Sequence, residues 1–212
     1  MINPSKTVPD GILFRPVWHT ALLFCGILGP LVFLFIYFTF GSISPDFDML
    51  RQPVGRLELM DYGWIQSANF IVYGLFTCAF AMGLRAELHS GAYIALLPLL
   101  HVVIAASMVL LGLFIYEPAH TYFSIFSAGS IVASLLLFAR RFKVSPQWKQ
   151  WAAYTDLCAF GIIFLSLMYW YFNHNGNPYA AVFEHVIIAI RMVWLVAMIV
   201  KLLWGSTLAP QQ

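Results

Sequence analysis

Six apolar stretches dominate the sequence, and each is long enough to cross a lipid bilayer. A helix rises about 1.5 Å per residue, so a hydrocarbon layer of about 30 Å requires roughly 20 apolar residues. Backbone polar groups are too costly to leave unpaired in lipid, and a β-barrel would instead show alternating segments of about ten residues. We therefore expect an all-α polytopic membrane bundle, a single domain over residues 1–212. Its six transmembrane helices are predicted at about 21–40, 64–84, 92–116, 122–139, 151–172 and 180–204.

The composition independently excludes a water-soluble fold. Hydrophobic residues make up 61% of the chain and charged residues only 9%, whereas an ordinary soluble domain has about 25% charged residues. The net charge of +2 is too small to indicate a nucleic-acid partner. Cys25, Cys78 and Cys158 have neither disulfide nor metal-ligand spacing, so we interpret them as packing residues. No cofactor is predicted, and membrane lipids are the expected surroundings.

Lysine and arginine are divided unevenly between the two predicted sides of the membrane. Only Arg51 and Arg56 belong to one side. The opposite side, which includes both termini, has eight: Lys6, Arg15, Arg85, Arg140, Arg141, Lys143, Lys149 and Lys201. Because basic residues concentrate in cytoplasmic segments, we expect both termini in the cytoplasm.

The segment at residues 41–63 is the longest predicted loop and mixes charged with apolar side chains. Such a loop favours a short amphipathic helix or re-entrant turn that covers the bundle, and we expect breaks at Pro53 and Gly55. The charged residues assigned to this lid are Arg51, Arg56 and Asp61.

Four ionisable residues lie within the predicted spans: His101, Asp156, Glu184 and Arg191. Each is a candidate functional residue, because an ionised side chain at the membrane centre costs at least about 2.5 kcal/mol. Glu184 and Arg191 are seven residues apart, so they share one helix face but are too distant to pair directly. Asp156 and His101 are the candidate partners of Arg191, and a polar ligand or water is the alternative. A purely structural salt bridge would explain the same residues.

A second group of polar residues is predicted at the outer face. It combines Glu117 and His120 after the third span with Glu184 and His185 at the start of the sixth. Two carboxylates and two imidazoles could bind a divalent metal or act as an acid and base on a lipid headgroup or peptide. Hydrogen bonds at helix ends would account for them equally well. Asp61, Gln66 and Asn69 enter the second span nearby.

The segment RQPVGRLELMDYGWIQSANF resembles the signature of a prokaryotic six-span membrane family, domain of unknown function 998. Gly55 stands where serine is more usual in that family. GLFIYEPAH resembles the family's turn with Glu117 and His120, and AVFEHVIIAIRMVW resembles its last span, with His185 where arginine is common. The resemblance implies a six-helix fold and no activity. We expect this bundle in a prokaryotic inner membrane. The residues that match in the first segment and the helix after it are Arg51, Pro53, Val54, Leu57, Gly63, Trp64, Gln66, Asn69, Phe70 and Gly74.

The leading functional hypothesis is that the protein binds or handles a lipid or other amphipathic small molecule in an outward-facing polar cavity. The alternatives are a membrane hydrolase or transferase that uses the outer Glu and His residues, a transporter or proton pathway through His101, Asp156 and Arg191, and a structural subunit of a larger complex. The oligomeric state is left open. The residues predicted to line the cavity are Asn69, His101, Glu117, His120, Asp156, Glu184 and Arg191.

Overall fold

Six long helices and one short one make up the secondary structure of the described residues. The computed structural model describes residues 16–88, 93, 95–116 and 118–204. The long helices are α1 (Val17–Ile43), α2 (Trp64–Glu87), α3 (Leu96–Leu113), α4 (Ala119–Lys143), α5 (Lys149–His174) and α6 (Ala181–Leu203). All six are long and apolar enough to cross a membrane. The predicted all-α bundle of six membrane helices is therefore confirmed.

The predicted spans correspond one to one with these helices, but several helix ends differ. The α4 helix ends at Lys143, beyond the predicted boundary at 139. Its last turn contains Arg140 and Arg141, and cationic side chains interact favourably with the free carbonyl groups of a helix C-terminus. Hydropathy detects only the apolar part of a helix, so it misses such a polar turn.

The helices pack in chain order, and α6 returns to contact α1. Consecutive helices run in opposite directions, so α2, α4 and α6 all begin at one end of the bundle. We call this the loop end, because the segment 44–63 connects α1 to α2 there. The other end, where α1 begins and α6 ends, is the terminal end.

Two apolar cores fill the bundle, one near each end. The core at the terminal end includes Phe80, Phe138 and Trp194. The core at the loop end combines Phe33, Tyr37, Phe40, Phe70, Tyr73, Leu111 and Met192 with Phe47, Val54 and Leu57 of the loop. The loop thus folds back onto the bundle, as its mixed composition predicts.

A 3₁₀ helix, Val54–Leu59, forms the part of this loop that packs on α2 and α6. We call it the loop helix. It begins directly after Pro53, which fits the fixed backbone angle of proline at a helix start. Gly55 lies inside the loop helix, so the predicted break at this residue is wrong. The glycine is instead needed for the close approach of a histidine, which is described below.

Glycines bring α2 close to both of its neighbours. A Cβ atom at Gly83 would lie 2.9 Å from the backbone nitrogen of Leu23 in α1. One at Gly74 would lie 2.7 Å from the carbonyl oxygen of Ala105 in α3. Small residues allow membrane helices to approach closely, and here they place α2 between α1 and α3.

Candidate functional site

Arg191 is a buried cation in the middle of α6, with only 8% of its surface exposed. Its guanidinium donates a hydrogen bond to the Tyr73 hydroxyl of α2. The guanidinium carbon also lies 5.4 Å from the centre of the Tyr73 ring. No carboxylate among the described residues forms an ion pair with Arg191. Among the described residues, the direct contacts of its guanidinium are therefore with the hydroxyl and the ring of Tyr73.

Neither predicted partner of Arg191 pairs with it. The Asp156 carboxylate lies 2.8 Å from the Lys143 ammonium, near the terminal end of the bundle. Asp156 is in the first half of α5, which begins at that end, whereas Arg191 is in the middle of α6. The His101 ring packs between Phe80 and Phe138, and its Nδ1 atom lies 2.9 Å from the Leu97 carbonyl oxygen. The structure therefore separates Asp156 from the site and places His101 in the terminal-end core.

Glu58 of the loop helix is the main polar residue that the sequence analysis missed. Its side chain is fully buried and accepts a hydrogen bond of 2.9 Å from the Ser67 hydroxyl of α2. Its second oxygen lies 3.1 Å from Nε2 of His120 in α4. Glu58 is buried together with Val54 and Leu57 of the same helix. In a 3₁₀ helix with three residues per turn, Val54 and Leu57 share one face and Glu58 lies about 120° from it, so the spacing does not indicate that this carboxylate is buried.

Glu184 provides the second attachment of the loop helix. Its carboxylate accepts a hydrogen bond of 3.1 Å from the backbone N–H of Val54, the first residue of the loop helix. This N–H has no partner within a short helix, so the carboxylate satisfies a group that would otherwise be unpaired. Together Glu58 and Glu184 connect the loop helix to α2, α4 and α6.

Gly55 explains how the loop helix can lie so close to α4. A Cβ atom at this position would be 2.7 Å from Cε1 and 3.1 Å from Nε2 of His120. No side chain fits between the loop helix and the imidazole. The glycine therefore permits the contact between His120 and Glu58.

The residues that contact the loop helix give a starting point for measuring depth along α2, α4 and α6, the three helices that begin at the loop end. Tyr73 follows Ser67 by six residues, Ser127 follows His120 by seven, and Arg191 follows Glu184 by seven. At about 1.5 Å per residue, all three lie about 9 to 11 Å deeper in the bundle than the loop helix contacts. Residues seven apart lie on the same face of a helix, so Ser127 points to the same side of α4 as His120, and Arg191 to the same side of α6 as Glu184. Tyr73 and Arg191, which are in contact, share this level, and the helical rise predicts Ser127 at the same depth.

Three buried polar atoms in this region have no hydrogen-bond partner within the described part of the chain: Gln66 Nε2, Asn69 Oδ1 and Ser127 Oγ. Gln66 and Asn69 are 0% and 1% exposed, and Asn69 donates to the Phe33 carbonyl oxygen at 3.0 Å. Each such unpaired group costs about 1–3 kcal/mol, so a ligand or water is expected to contact them. We call these residues, together with Tyr73 and Arg191, the polar cluster.

A family comparison covers all of these residues. A family model described as protein of unknown function (DUF998) matches residues 27–201. The chain belongs to the DUF998 family. No curated protein and no solved structure matches it. The match includes the loop helix and the whole polar cluster, so the resemblance in the first loop and second span extends over most of the chain.

Of the Glu and His residues predicted to form one cluster, those that the structure describes have different hydrogen-bond partners in this DUF998 protein. His120 contacts Glu58, whereas Nε2 of His185 contacts the Tyr37 hydroxyl and its Nδ1 contacts the Ala181 carbonyl oxygen. Glu117 lies outside the described residues. Within the described ranges, no group of three or more His, Cys, Asp and Glu side chains could hold a metal ion. Because Glu117 is one of the four residues considered for a metal site, that site stays a prediction.

The contacts of Glu58 also differ from those of a hydrolytic triad. In such a triad the histidine lies between the acid and the serine, so that it can accept the serine proton. Here the carboxylate lies between Ser67 and His120 and contacts both. The arrangement orients the loop helix but does not activate the Ser67 hydroxyl.

The charged residues assigned to the lid face away from the polar cluster. Arg51 pairs with Asp48 at 3.5 Å and donates to the Tyr179 hydroxyl at 3.3 Å. Arg56 and Asp61 are exposed. The loop therefore covers the bundle with its apolar side chains and Glu58, and these three charges contribute no group to the interior.

Proposed function

We propose that this DUF998 protein binds an anionic amphipathic molecule inside the bundle, with the anionic group at Arg191. The burial of Arg191 without a carboxylate partner among the described residues is the observation that carries the proposal. A cation at the centre of a membrane helix costs about 2.5–3.5 kcal/mol on insertion scales. A bound anion would offset that cost, and it would leave the hydrogen bond to Tyr73 in place.

The rest of the polar cluster supports an oxyanion as the bound group. The Ser127 hydroxyl is a donor without a partner in the described chain, and a carboxylate or phosphate has several acceptor positions. Gln66 Nε2, about 10 Å nearer the loop end than Tyr73, is a second such donor and suits another polar group of the same ligand. Arginine binds such groups through two parallel N–H donors, and Tyr73 fixes the orientation of the guanidinium. Asn69 Oδ1 is an acceptor, so it suits a hydroxyl or amide of the same ligand.

The experiment that tests this function is identification of the co-purified ligand. The protein would be extracted in mild detergent, and native mass spectrometry would be followed by analysis of the released small molecules. We expect an anionic amphipath in the wild-type protein and its loss in Arg191→Met. Arg140→Met, which removes an exposed arginine at the terminal end, is the matched control and is expected to retain the ligand.

Tyr73→Phe distinguishes ligand binding from mere folding. It removes the hydroxyl that orients Arg191 but keeps the ring and the charge, so ligand retention is expected to fall without complete loss. Wild-type protein that carries no anionic molecule would overturn the proposal. Equal retention by wild-type and Arg191→Met would do the same.

The orientation proposed for the protein places the terminal end at the cytoplasmic side of a prokaryotic inner membrane. The support is the distribution of basic residues, eight against two. Under this orientation the loop helix lies at the outer surface. Neither the enzymatic nor the proton-pathway alternative gains a supporting observation, since the described Glu and His residues have different hydrogen-bond partners and Asp156 pairs with Lys143.

A further inference from the structure

The loop helix closes the loop end of the bundle above the polar cluster. Val54 and Leu57 are 2% and 0% exposed, and Glu58 is buried between Ser67 and His120. Apolar packing and two carboxylate attachments therefore lie between the outer aqueous phase and Arg191. A water-soluble anion would have to displace this helix to reach the guanidinium.

At the depth of Arg191, the side of the bundle near α5 is much less covered by neighbouring helices than the loop end is. All five buried residues of α5 lie between Ala152 and Ile162, toward the terminal end. None of the residues 163–174, all of which the structure describes, is buried. Phe172 stacks on Phe183 at 5.3 Å, which keeps the end of α5 near the start of α6. The sides of this segment that point away from α6, including the side toward α4, contain no buried residue.

The facing part of α4 is equally uncovered. Within residues 119–129, which the structure describes in full, Ser127 is the only buried residue. A closely packed pair of helices would bury a stripe on each. We call the region between residues 119–129 of α4 and residues 163–174 of α5 the side opening.

The helical geometry of α4 places a second hydroxyl in the side opening. At 3.6 residues per turn, Phe123 lies about 40° to one side of Ser127, and Ser124 lies about 60° to the other. Phe123 contacts Phe114 at the end of α3, with ring centres 5.8 Å apart. Because α3 and α5 flank α4 on opposite sides, Ser124 faces α5, and it is exposed.

We infer that the anionic group of a membrane lipid reaches Arg191 sideways through the opening between α4 and α5, while the lipid's acyl chains remain in that opening. This inference rests on the proposed function and adds the source of the ligand and its route. The closed loop end disfavours a soluble anion. Ser124 and Ser127 provide hydroxyls between the bilayer and the guanidinium, and the opening itself is flanked by apolar side chains such as Phe164 and Leu167.

Photolabelling in vesicles tests the route. The full chain would be reconstituted in phosphatidylcholine vesicles containing phosphatidylglycerol with a diazirine in its acyl chain. We expect labelled peptides from residues 119–129 and 163–174, and a decrease of this labelling in Arg191→Met to the level that surrounding lipid gives. The exposed face of α1 around Phe35 and Phe38 is the internal control, because its labelling by surrounding lipid should not depend on Arg191.

A second pair of variants fills the opening without changing the polar cluster. Ser124→Trp is expected to reduce labelling of the opening and retention of the anionic lipid about tenfold, a factor that corresponds to 1.4 kcal/mol. Phe126→Trp adds an indole on another exposed face of α4 and is expected to have no effect. Excess inorganic phosphate is expected to leave the labelling unchanged, since the ligand is a lipid.

The outcomes separate failure of the route from failure of the function. Lipid retention that depends on Arg191 but is unaffected by Ser124→Trp would overturn the route and leave the function intact. Displacement of the label by inorganic phosphate would identify a soluble anion instead. Cross-linking of a second copy of this chain across the opening would show a subunit interface and overturn the route. Absence of any anionic ligand in the wild-type protein would refute both.

Discussion

Gly55→Ala tests whether the loop helix is held by a close contact with α4. The added Cβ atom would lie 2.7 Å from Cε1 of His120, a distance that forces the loop helix and the imidazole apart. The Glu58 carboxylate is 3.1 Å from His120 Nε2, so separation breaks this hydrogen bond. The substitution adds one methyl group, and the contact that it disrupts is the hydrogen bond between Glu58 and His120.

The expected magnitude follows from two opposing effects. A hydrogen bond to a charged group contributes about 1.5–3 kcal/mol. Replacing glycine by alanine at an ordinary backbone conformation stabilises by about 0.4–1 kcal/mol, because the unfolded chain loses freedom. Gly55 is not among the residues with positive φ, so this gain applies. We expect a net loss of about 1–2 kcal/mol in the free energy of unfolding.

The assay is reversible unfolding in mixed micelles of mild detergent and sodium dodecyl sulfate, followed by circular dichroism. Gly129→Ala is the matched control, since a Cβ atom there meets nothing within 4 Å. It is expected to be neutral or slightly stabilising, as alanine favours helices. In a His120→Ala background, Gly55→Ala should no longer destabilise, because the overlapping ring is gone. A Gly55→Ala protein as stable as the wild type, or equal effects in both backgrounds, would refute the reasoning.

Four further substitutions test other parts of the structure. Glu58→Gln weakens both side-chain contacts of the loop helix, and the same unfolding assay should show a loss of about 1.5–3 kcal/mol. Gln66→Leu removes a buried donor without a described partner; we expect unfolding stability to change little while the anionic ligand is retained less well in native mass spectra. Gly74→Leu should reduce the yield of folded monodisperse protein in size-exclusion chromatography, because its side chain would overlap the Ala105 carbonyl group. Lys143→Met should lower stability by less than about 1 kcal/mol, since the ion pair with Asp156 is largely exposed on the lysine side.

The sequence analysis predicted the elements of this fold well because membrane insertion depends on local composition. A span needs about 20 apolar residues in a row, and hydropathy measures that property directly. The folding back of the 41–63 loop was also predictable, since its apolar residues could not remain in water. The loop helix itself was not located, because Pro53 and Gly55 indicate breaks equally well, and only the contact with His120 explains the glycine.

The candidate site was predicted only in part, because the sequence does not show which side chains contact one another in the folded bundle. Arg191 was selected correctly as a buried cation, because a charge within an apolar span is visible in the sequence. Its contact with Tyr73 was not predicted, since a tyrosine in a membrane helix looks like any other aromatic residue. Glu58 was not among the candidates predicted from the sequence, although the structure buries its side chain completely. Pairing depends on which helix faces are neighbours, and a single sequence does not contain that information.

The sequence alone determined that this chain forms six membrane helices, that its loop covers the bundle and that Arg191 is buried in the bundle. These properties follow from the free energy of transferring single side chains and backbone groups between water and lipid, and that energy is local. The tertiary structure alone decided that Arg191 contacts Tyr73, that Asp156 pairs with Lys143 and that the part of α5 nearer the loop end remains uncovered. These contacts depend on the relative rotation and depth of helices far apart in the chain, so they arise only when the bundle packs.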